Sequence, residues 1–90
     1  MNKKDRQKRF EALAEHGCMI CRRPAQIHHL IGSDYRGIGQ KAKDEFTIPL
    51  CMDHHTGSMG IHQIGKITWE RRYGAQALML KHINEVMGCD

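Results

Sequence analysis

The sequence predicts a small α+β domain in which two short strands lie between helices at the two ends of the chain. The 90 residues suffice for one hydrophobic core and contain no obvious linker. Helical periodicity is confined to the two ends, whereas the middle alternates short apolar runs with glycine-containing turns. We therefore expect a single domain over residues 1–90, with a basic helix at 1–16, a central region at 17–63 and C-terminal helices at 64–90.

The first predicted element is an amphipathic helix over residues 2–16. Phe10, Leu13 and Ala14 recur at helical spacing, and Gly17 is placed to end the helix. The remaining faces are basic. We interpret them as a solvated surface, which is the common role of a lysine-rich terminal helix.

Two short apolar segments in the middle of the chain are typical of strands. The first, residues 25–31, contains two adjacent histidines. The second, residues 46–50, carries Pro49, which favours an edge or terminal position because proline cannot donate a hydrogen bond to a neighbouring strand. Between them, residues 32–43 are interrupted by three glycines and are expected to form an irregular loop.

The C-terminal part predicts two further helices. The first is expected to begin near Ile64 and to end at Tyr73, where Gly74 fits a C-terminal cap. The second carries an apolar stripe at the spacing i, i+4, i+7 and i+8, which favours burial against the core. The stripe consists of Met79, Ile83, Val86 and Met87.

Cysteine and histidine residues form the most informative pattern in the chain. Four Cys and seven His accompany only one Trp, two Tyr and two Phe, so a metal ion is expected to supplement a thin core. Cys18-x-x-Cys21 and Cys51-x-x-His54 have the spacing of zinc knuckles. Three thiolates and one imidazole complete a closed shell, which indicates structural zinc, because a catalytic zinc keeps one position for water. The alternative is that these residues are buried free cysteines, which leaves both spacings unexplained. The fourth cysteine, Cys89, belongs to neither motif.

Four further histidines form a second group: His28, His29, His55 and His62. Adjacent strand residues point to opposite faces of a sheet, so His28 and His29 are not expected to bind the same ion. They can instead divide two tasks. One can hold a divalent cation while the other accepts a proton from an attacking water, which is the combination that hydrolysis of a phosphodiester requires.

The order of these motifs resembles the HNH (ββα-metal) endonuclease superfamily. The matching motifs are Cys-x-x-Cys, Ile-His-His-Leu, Pro-Leu-Cys-x-x-His-His and Gly-Ile-His, together with Gly-Ile-Gly-Gln at 37–40 and Glu-Arg-Arg-Tyr-Gly at 70–74. The resemblance covers residues 17–74. It is closest to the small phage and prophage branch typified by the recombination enhancement (Ref) nuclease of a temperate phage.

This resemblance implies a β-hairpin followed by a helix around a metal ion, with the zinc knuckles beside it. It implies that His29 is the general base and that His28, His55 and His62 hold a catalytic cation. That cation is expected to be Mg²⁺, Mn²⁺ or a transition metal, with Zn²⁺ as an inert substitute in crystals. The usual asparagine of the second strand is absent, so Thr47 or a backbone carbonyl is expected to orient the base.

The implied activity is nicking or cutting of DNA by attack of water on phosphorus, leaving 5′-phosphate and 3′-hydroxyl ends. A formal charge of +4 favours a polyanionic partner. No base-reading helix is evident, so we expect weak preference for sequence on double-stranded, branched or single-stranded DNA, or targeting by a recombinase filament. The residues expected to contact phosphates are Arg36, Lys41, Lys43, Lys66, Arg71 and Arg72. A monomer or a homodimer fits the sequence equally.

The expected location is the cytoplasm of a bacterial host, for a phage- or prophage-encoded protein linked to recombination or DNA processing. No secretory signal segment is recognised, and no apolar run is long enough to cross a membrane.

The competing hypothesis is a non-catalytic zinc module that binds DNA or protein. It predicts one metal ion per chain instead of two, and gives His29 no part in any activity. A redox or ligase adaptor domain would share the knuckles but would not explain His28 and His29 beside His55.

Overall fold

A computed structural model describes residues 1–37 and 39–88 and places helices on both sides of a two-stranded antiparallel sheet. The elements are α1 (Lys3–His16), β1 (Gln26–His29), β2 (Thr47–Leu50), α2 (Met52–His55), α3 (Ile61–Ile64), α4 (Lys66–Tyr73) and α5 (Gln76–Val86). The predicted α+β class with a β-hairpin between terminal helices is confirmed. Cys89, which the sequence left without a partner, lies outside the described residues, as do Ile38 and Asp90.

Helix α1 begins one residue after its predicted start and ends as predicted. The Asn2 side chain accepts a hydrogen bond from the Asp5 amide at 2.8 Å, which caps the first turn, and Gly17 ends the helix with a φ of 85°. Leu13 is fully buried, but Ala14, which was predicted to share its face, is exposed.

Arg9 is the second buried residue of α1. Its guanidinium donates to the Thr47 hydroxyl at 2.9 Å, to the Thr47 carbonyl at 2.8 Å and to the Asn84 side chain at 2.9 Å. A buried cation requires such partners, and the apolar stem of arginine can pack against the core. Arg9 therefore joins α1 to both β2 and α5.

The two strands pair so that His28 lies opposite Ile48 and His29 lies opposite Thr47. Both strands are shorter than the predicted segments. His28 is fully buried, whereas 17% of the His29 side chain is exposed, as alternation along a strand predicts. Fully buried apolar side chains around the sheet include Leu13, Cys18, Leu30, Ile48, Pro49, Leu50, Trp69 and Ile83, with Ile61 at 1% exposure.

The helix predicted from near Ile64 to Tyr73 is present as α4, and Gly74 caps its C-terminal end as predicted. The preceding short helix, α3, was not predicted. Gly65 separates the two helices because its φ of 86° is outside the helical region. In α5, Met79 and Ile83 are buried as predicted, and Met87, the residue after the helix, is partly buried against the core. Val86 is 56% exposed, so the buried face follows residues 79, 83 and 87. No helix in the described part of the chain has the length and apolar character needed to cross a membrane.

Candidate metal centres

Cys18, Cys21, Cys51 and His54 are positioned to hold a metal ion. The sulfurs of Cys21 and Cys51 are 3.7 Å apart. His54 Nδ1 lies 3.6, 3.7 and 3.1 Å from the sulfurs of Cys18, Cys21 and Cys51. Around tetrahedral zinc, bonds of about 2.3 Å to sulfur and about 2.0 Å to nitrogen give ligand separations of about 3.8 Å and about 3.5 Å. The four ligands therefore have separations compatible with structural zinc, as the sequence predicts.

The first knuckle is a tight turn that depends on local backbone contacts. The Arg22 amide donates to the Cys18 carbonyl at 2.9 Å, and the turn passes so close to Gly17 that a Cβ there would lie 2.5 Å from the Arg22 carbonyl oxygen. The Met19 amide donates to the Pro49 carbonyl at 2.9 Å. This bond fixes the first knuckle beside the strand that leads into the second.

Arg23 lies beside the thiolates and was not identified from the sequence. Its Nε donates to the Cys21 sulfur at 3.2 Å, and its Nη2 donates to the Cys51 sulfur at 3.7 Å and to Asp53 at 2.9 Å. The hydrogen bond from Arg23 is the main reason that the pKa of Cys21 is lowered to about 6, whereas burial raises the pKa of Cys51. Three thiolates and a divalent ion carry one net negative charge, which Arg23 can offset. Its position two residues after the first knuckle is the only sequence signal.

The second cluster comprises His28, His55 and His62, whose candidate ligand atoms all lie within 4.8 Å of one another. The Nε2 atoms of His55 and His62 are 3.1 Å apart. The ring centroid of His28 lies 5.0 Å from that of His55 and 5.4 Å from that of His62. His55 is on α2 and His62 is on α3, so tertiary folding compensates for their separation of seven residues.

Gly60 allows the two helices to approach in this way. A Cβ at this position would lie 2.5 Å from the backbone carbonyl carbon of His55 and 2.6 Å from its oxygen. Glycine is therefore required where the chain turns from α2 back towards the His28 side of the sheet.

His28 has the character of a metal ligand. Burial lowers its pKa to about 4; the contact with Gln76 opposes this shift, and His55 and His62 add to it. Among the described residues, His28 Nδ1 is a buried atom without a hydrogen-bond partner. A neutral imidazole with such an atom fits a divalent cation, because a buried polar atom is otherwise costly. The donor set of three imidazoles fits the same kind of ion.

His29 lies on the other face of the strand and pairs with Asp44. The distance from His29 Nε2 to Asp44 Oδ1 is 2.9 Å, and Arg6 Nη1 lies 3.6 Å from Asp44 Oδ2. The hydrogen bond from His29 lowers the pKa of Asp44, with further lowering by the charges of Arg6 and Lys41. The Thr47 hydroxyl instead donates to the Asp44 carbonyl at 2.8 Å. The residue that contacts the His29 ring is therefore Asp44, a loop residue, and not Thr47 or a backbone carbonyl as the sequence predicts.

The predicted phosphate-contacting residues lie in separate local environments. Lys66 forms an ion pair with Glu70 at 3.1 Å and packs over Gly32, where an added Cβ would be 3.2 Å from its Cε. The Arg72 guanidinium lies 5.6 Å from the centre of the Tyr73 ring. The side chains of the remaining members are exposed; these are Arg36, Lys41, Lys43 and Arg71.

Comparisons with known proteins identify a family and one relative. Residues 3–87 match the family described as "Protein of unknown function (DUF968)". A 60-residue region, 66% of this chain, is 42% identical to "Uncharacterized protein YdfU" of Escherichia coli (strain K12). This match spans only 16% of the length of that relative. No solved structure matches the chain.

Proposed function

This chain belongs to the DUF968 family, and we propose that it is a metal-dependent DNA endonuclease or nickase of the HNH type. One observation carries the proposal. Two adjacent histidines of β1 face opposite ways, one towards a three-imidazole cluster and the other towards a carboxylate. This arrangement separates a cation site from a proton acceptor by a single residue along the strand, as hydrolysis of a phosphodiester requires.

His29 is the proposed general base. Asp44 is a carboxylate that accepts hydrogen bonds, so the contact of 2.9 Å is made by a proton on His29 Nε2. The neutral ring then carries its lone pair on Nδ1, the atom that would accept the proton of the attacking water. A carboxylate in this position also stabilises the imidazolium that forms after proton transfer. Arg6 lies on the far side of Asp44 and holds the second oxygen of that carboxylate at 3.6 Å.

His28, His55 and His62 are the proposed ligands of the catalytic cation. When bound, the cation would supply positive charge against the scissile phosphate and the leaving oxygen. Three protein ligands leave coordination positions for phosphate oxygen and water. The cysteine cluster, which consists of Cys18, Cys21, Cys51 and His54, offers four ligands and leaves none. An all-imidazole set favours a first-row transition ion over Mg²⁺, which prefers oxygen ligands.

The proposed reaction is attack of water on phosphorus. The bond from the water oxygen to phosphorus forms, and the bond from phosphorus to the 3′ oxygen breaks. The proton of the water passes to His29 Nδ1, and the departing 3′ oxygen takes a proton from solvent. The products carry a 5′ phosphate and a 3′ hydroxyl group.

The proposed substrate is DNA, bound through its phosphates. The formal charge of +4 and the exposed cations support a polyanionic substrate. Lys66, which is partly buried and paired with Glu70, packs over Gly32, three residues beyond β1. The resemblance to phage and prophage nucleases extends the proposal to a part in recombination or DNA processing, with a recombinase filament as the proposed targeting partner.

The test is nicking of supercoiled plasmid with Mg²⁺, Mn²⁺ or Co²⁺, comparing the parent with His29→Ala. Removal of a general base is expected to lower the rate by about 10²- to 10⁴-fold. His82→Ala is the matched control, because His82 is an exposed histidine on α5 outside both clusters and its loss should leave nicking unchanged. Zinc content must be equal in all three proteins, so that loss of the cysteine cluster does not imitate loss of the base.

Equal nicking by the parent and His29→Ala would remove His29 from its role. If the parent, with its zinc intact, fails to nick plasmid, branched and single-stranded DNA, that result would contradict the proposed nuclease function. The non-catalytic zinc module would then be the better description. A metal count separates the two hypotheses independently, since the nuclease holds two ions per chain and the module holds one.

A further inference from the structure

Gln76 is a fully buried polar residue at the start of α5, and no sequence pattern assigns it a role. Its side-chain amide forms three contacts. Oε1 accepts from the Ile31 amide at 3.1 Å, Nε2 donates to the Ile31 carbonyl at 3.0 Å, and Oε1 also lies 2.9 Å from His28 Nε2. The residue therefore connects α5 to the end of β1 and to the buried histidine of the three-imidazole cluster.

The two contacts with Ile31 fix which way the Gln76 amide points. A backbone N–H can only donate and a backbone carbonyl can only accept, so the oxygen of the side chain must face the Ile31 amide and its nitrogen must face the Ile31 carbonyl. Rotation of the amide by 180° would break both bonds. The atom that faces His28 is consequently an oxygen, which is an acceptor.

This orientation determines the protonation of His28. Because Gln76 presents an acceptor, His28 Nε2 must carry the hydrogen, and the lone pair of the neutral ring is on Nδ1. Nδ1 is the buried atom that lacks a partner among the described residues, and it belongs to the side chain that faces His55 and His62.

We propose that Gln76 is a positioning residue that fixes the ring orientation and the Nε2–H tautomer of His28, and so presents Nδ1 to a divalent cation. This inference rests on the proposed cation site. Outer-shell acceptors of this kind commonly hold metal-binding histidines in one tautomer. Gln76 is itself held in place, because its backbone amide donates to Glu70 Oε2 and thereby fixes the first turn of α5.

A second glutamine offers a matched comparison within the same cluster. Gln26 Oε1 lies 2.8 Å from His55 Nδ1, in a contact that is exposed to solvent. Water can replace an exposed acceptor but cannot readily reach the buried one beside His28. The same substitution at the two glutamines should therefore have unequal consequences for metal binding.

The experiment titrates Co²⁺ into protein whose cysteine cluster is already loaded with zinc, and compares the parent with Gln76→Met, Gln76→Glu and Gln26→Met. Gln76→Met is expected to bind cobalt about 10- to 100-fold more weakly. Gln26→Met is expected to lose less cobalt affinity than Gln76→Met. Gln76→Glu keeps an acceptor for His28 and should retain most of the parental affinity, although it cannot donate to the Ile31 carbonyl.

Nitrogen-15 NMR of the zinc-loaded, cobalt-free parent supplies a readout that does not depend on the variants folding. His28 is expected to be a neutral ring with its proton on Nε2. A proton on Nδ1 would overturn the proposal. So would equal cobalt affinity in Gln76→Met and the parent, or an equal loss in Gln76→Met and Gln76→Glu, which would indicate packing alone. A parent that binds no cobalt outside the cysteine cluster would overturn the cation site itself, and the proposal with it.

Discussion

Replacement of Arg23 by methionine should weaken zinc binding in a way that depends on pH. Methionine keeps much of the apolar stem but removes the donors that reach the sulfurs of Cys21 and Cys51 at 3.2 and 3.7 Å. The pKa of Cys21 is about 6 with Arg23 present, against an ordinary value of 9.0. At pH 7 these two values correspond to about 90% and about 1% thiolate, so the upper limit of the loss is about 100-fold.

Solvent reduces this limit. The Arg23 side chain is 56% exposed, so we expect about a tenfold loss of zinc affinity at pH 7 and physiological salt. The sign follows from the thiolate requirement: zinc binding to the variant must release a proton that the parent has already lost at pH 7. The deficit should therefore grow as pH falls from 9 towards 7, and nearly disappear above pH 9.

The assay is competition for zinc against a chromophoric chelator at pH 7 and pH 9. Arg22→Met is the control, because it removes an equal charge from the adjacent residue, whose Nε donates to the His16 carbonyl and not to a thiolate. Equal zinc affinity in the two variants at pH 7 would refute the role of Arg23. A deficit of the same size at pH 7 and pH 9 would refute its origin in thiolate protonation.

Three further substitutions test other parts of the fold. Gly60→Ala places a Cβ 2.5 Å from the His55 carbonyl carbon, so it should destabilise the protein by about 1–3 kcal/mol and abolish cobalt binding at the histidine cluster while zinc content stays unchanged. Trp69→Phe removes a buried donor, 3.0 Å from a backbone carbonyl within the second knuckle, and should lower the free energy of unfolding by about 2–4 kcal/mol in urea titrations. Burial raises the pKa of Glu70, but hydrogen bonds from Gln76 and Lys66 lower it by more, so the net effect is a pKa below the ordinary value of 4.5. Glu70→Gln should therefore lower stability by about 1 kcal/mol at pH 7, and the difference should shrink as pH falls below 4.5; a difference independent of pH would contradict this reasoning.

Much of the fold followed from patterns within a few residues. Gly17 ends α1 as predicted, and the helix begins one residue after the predicted start, with Asn2 as its N-cap, because capping depends on the residues at the ends of a helix. The helix predicted from near Ile64 to Tyr73 is α4, but the short helix α3 before Gly65 was not predicted, since a glycine within a helical pattern can either be accommodated or divide the helix. The exposure of Val86 could not be predicted from periodicity, because adjacent helical residues point in directions about 100° apart and the pattern does not decide whether Val86 or Met87 turns towards the core.

Local sequence patterns sufficed to predict the four residues positioned to hold a metal ion and the opposite directions of His28 and His29. Both are local properties: two-residue spacing brings paired ligands together in one turn, and adjacent strand residues alternate between faces. The hydrogen-bond partners of the two histidines depend on tertiary packing. Asp44 reaches His29 across 15 residues of chain, and Gln76 reaches His28 across 48. Hydrogen bonds at such separations depend on how the loops and helices pack, and no periodicity or spacing in a single sequence records that packing.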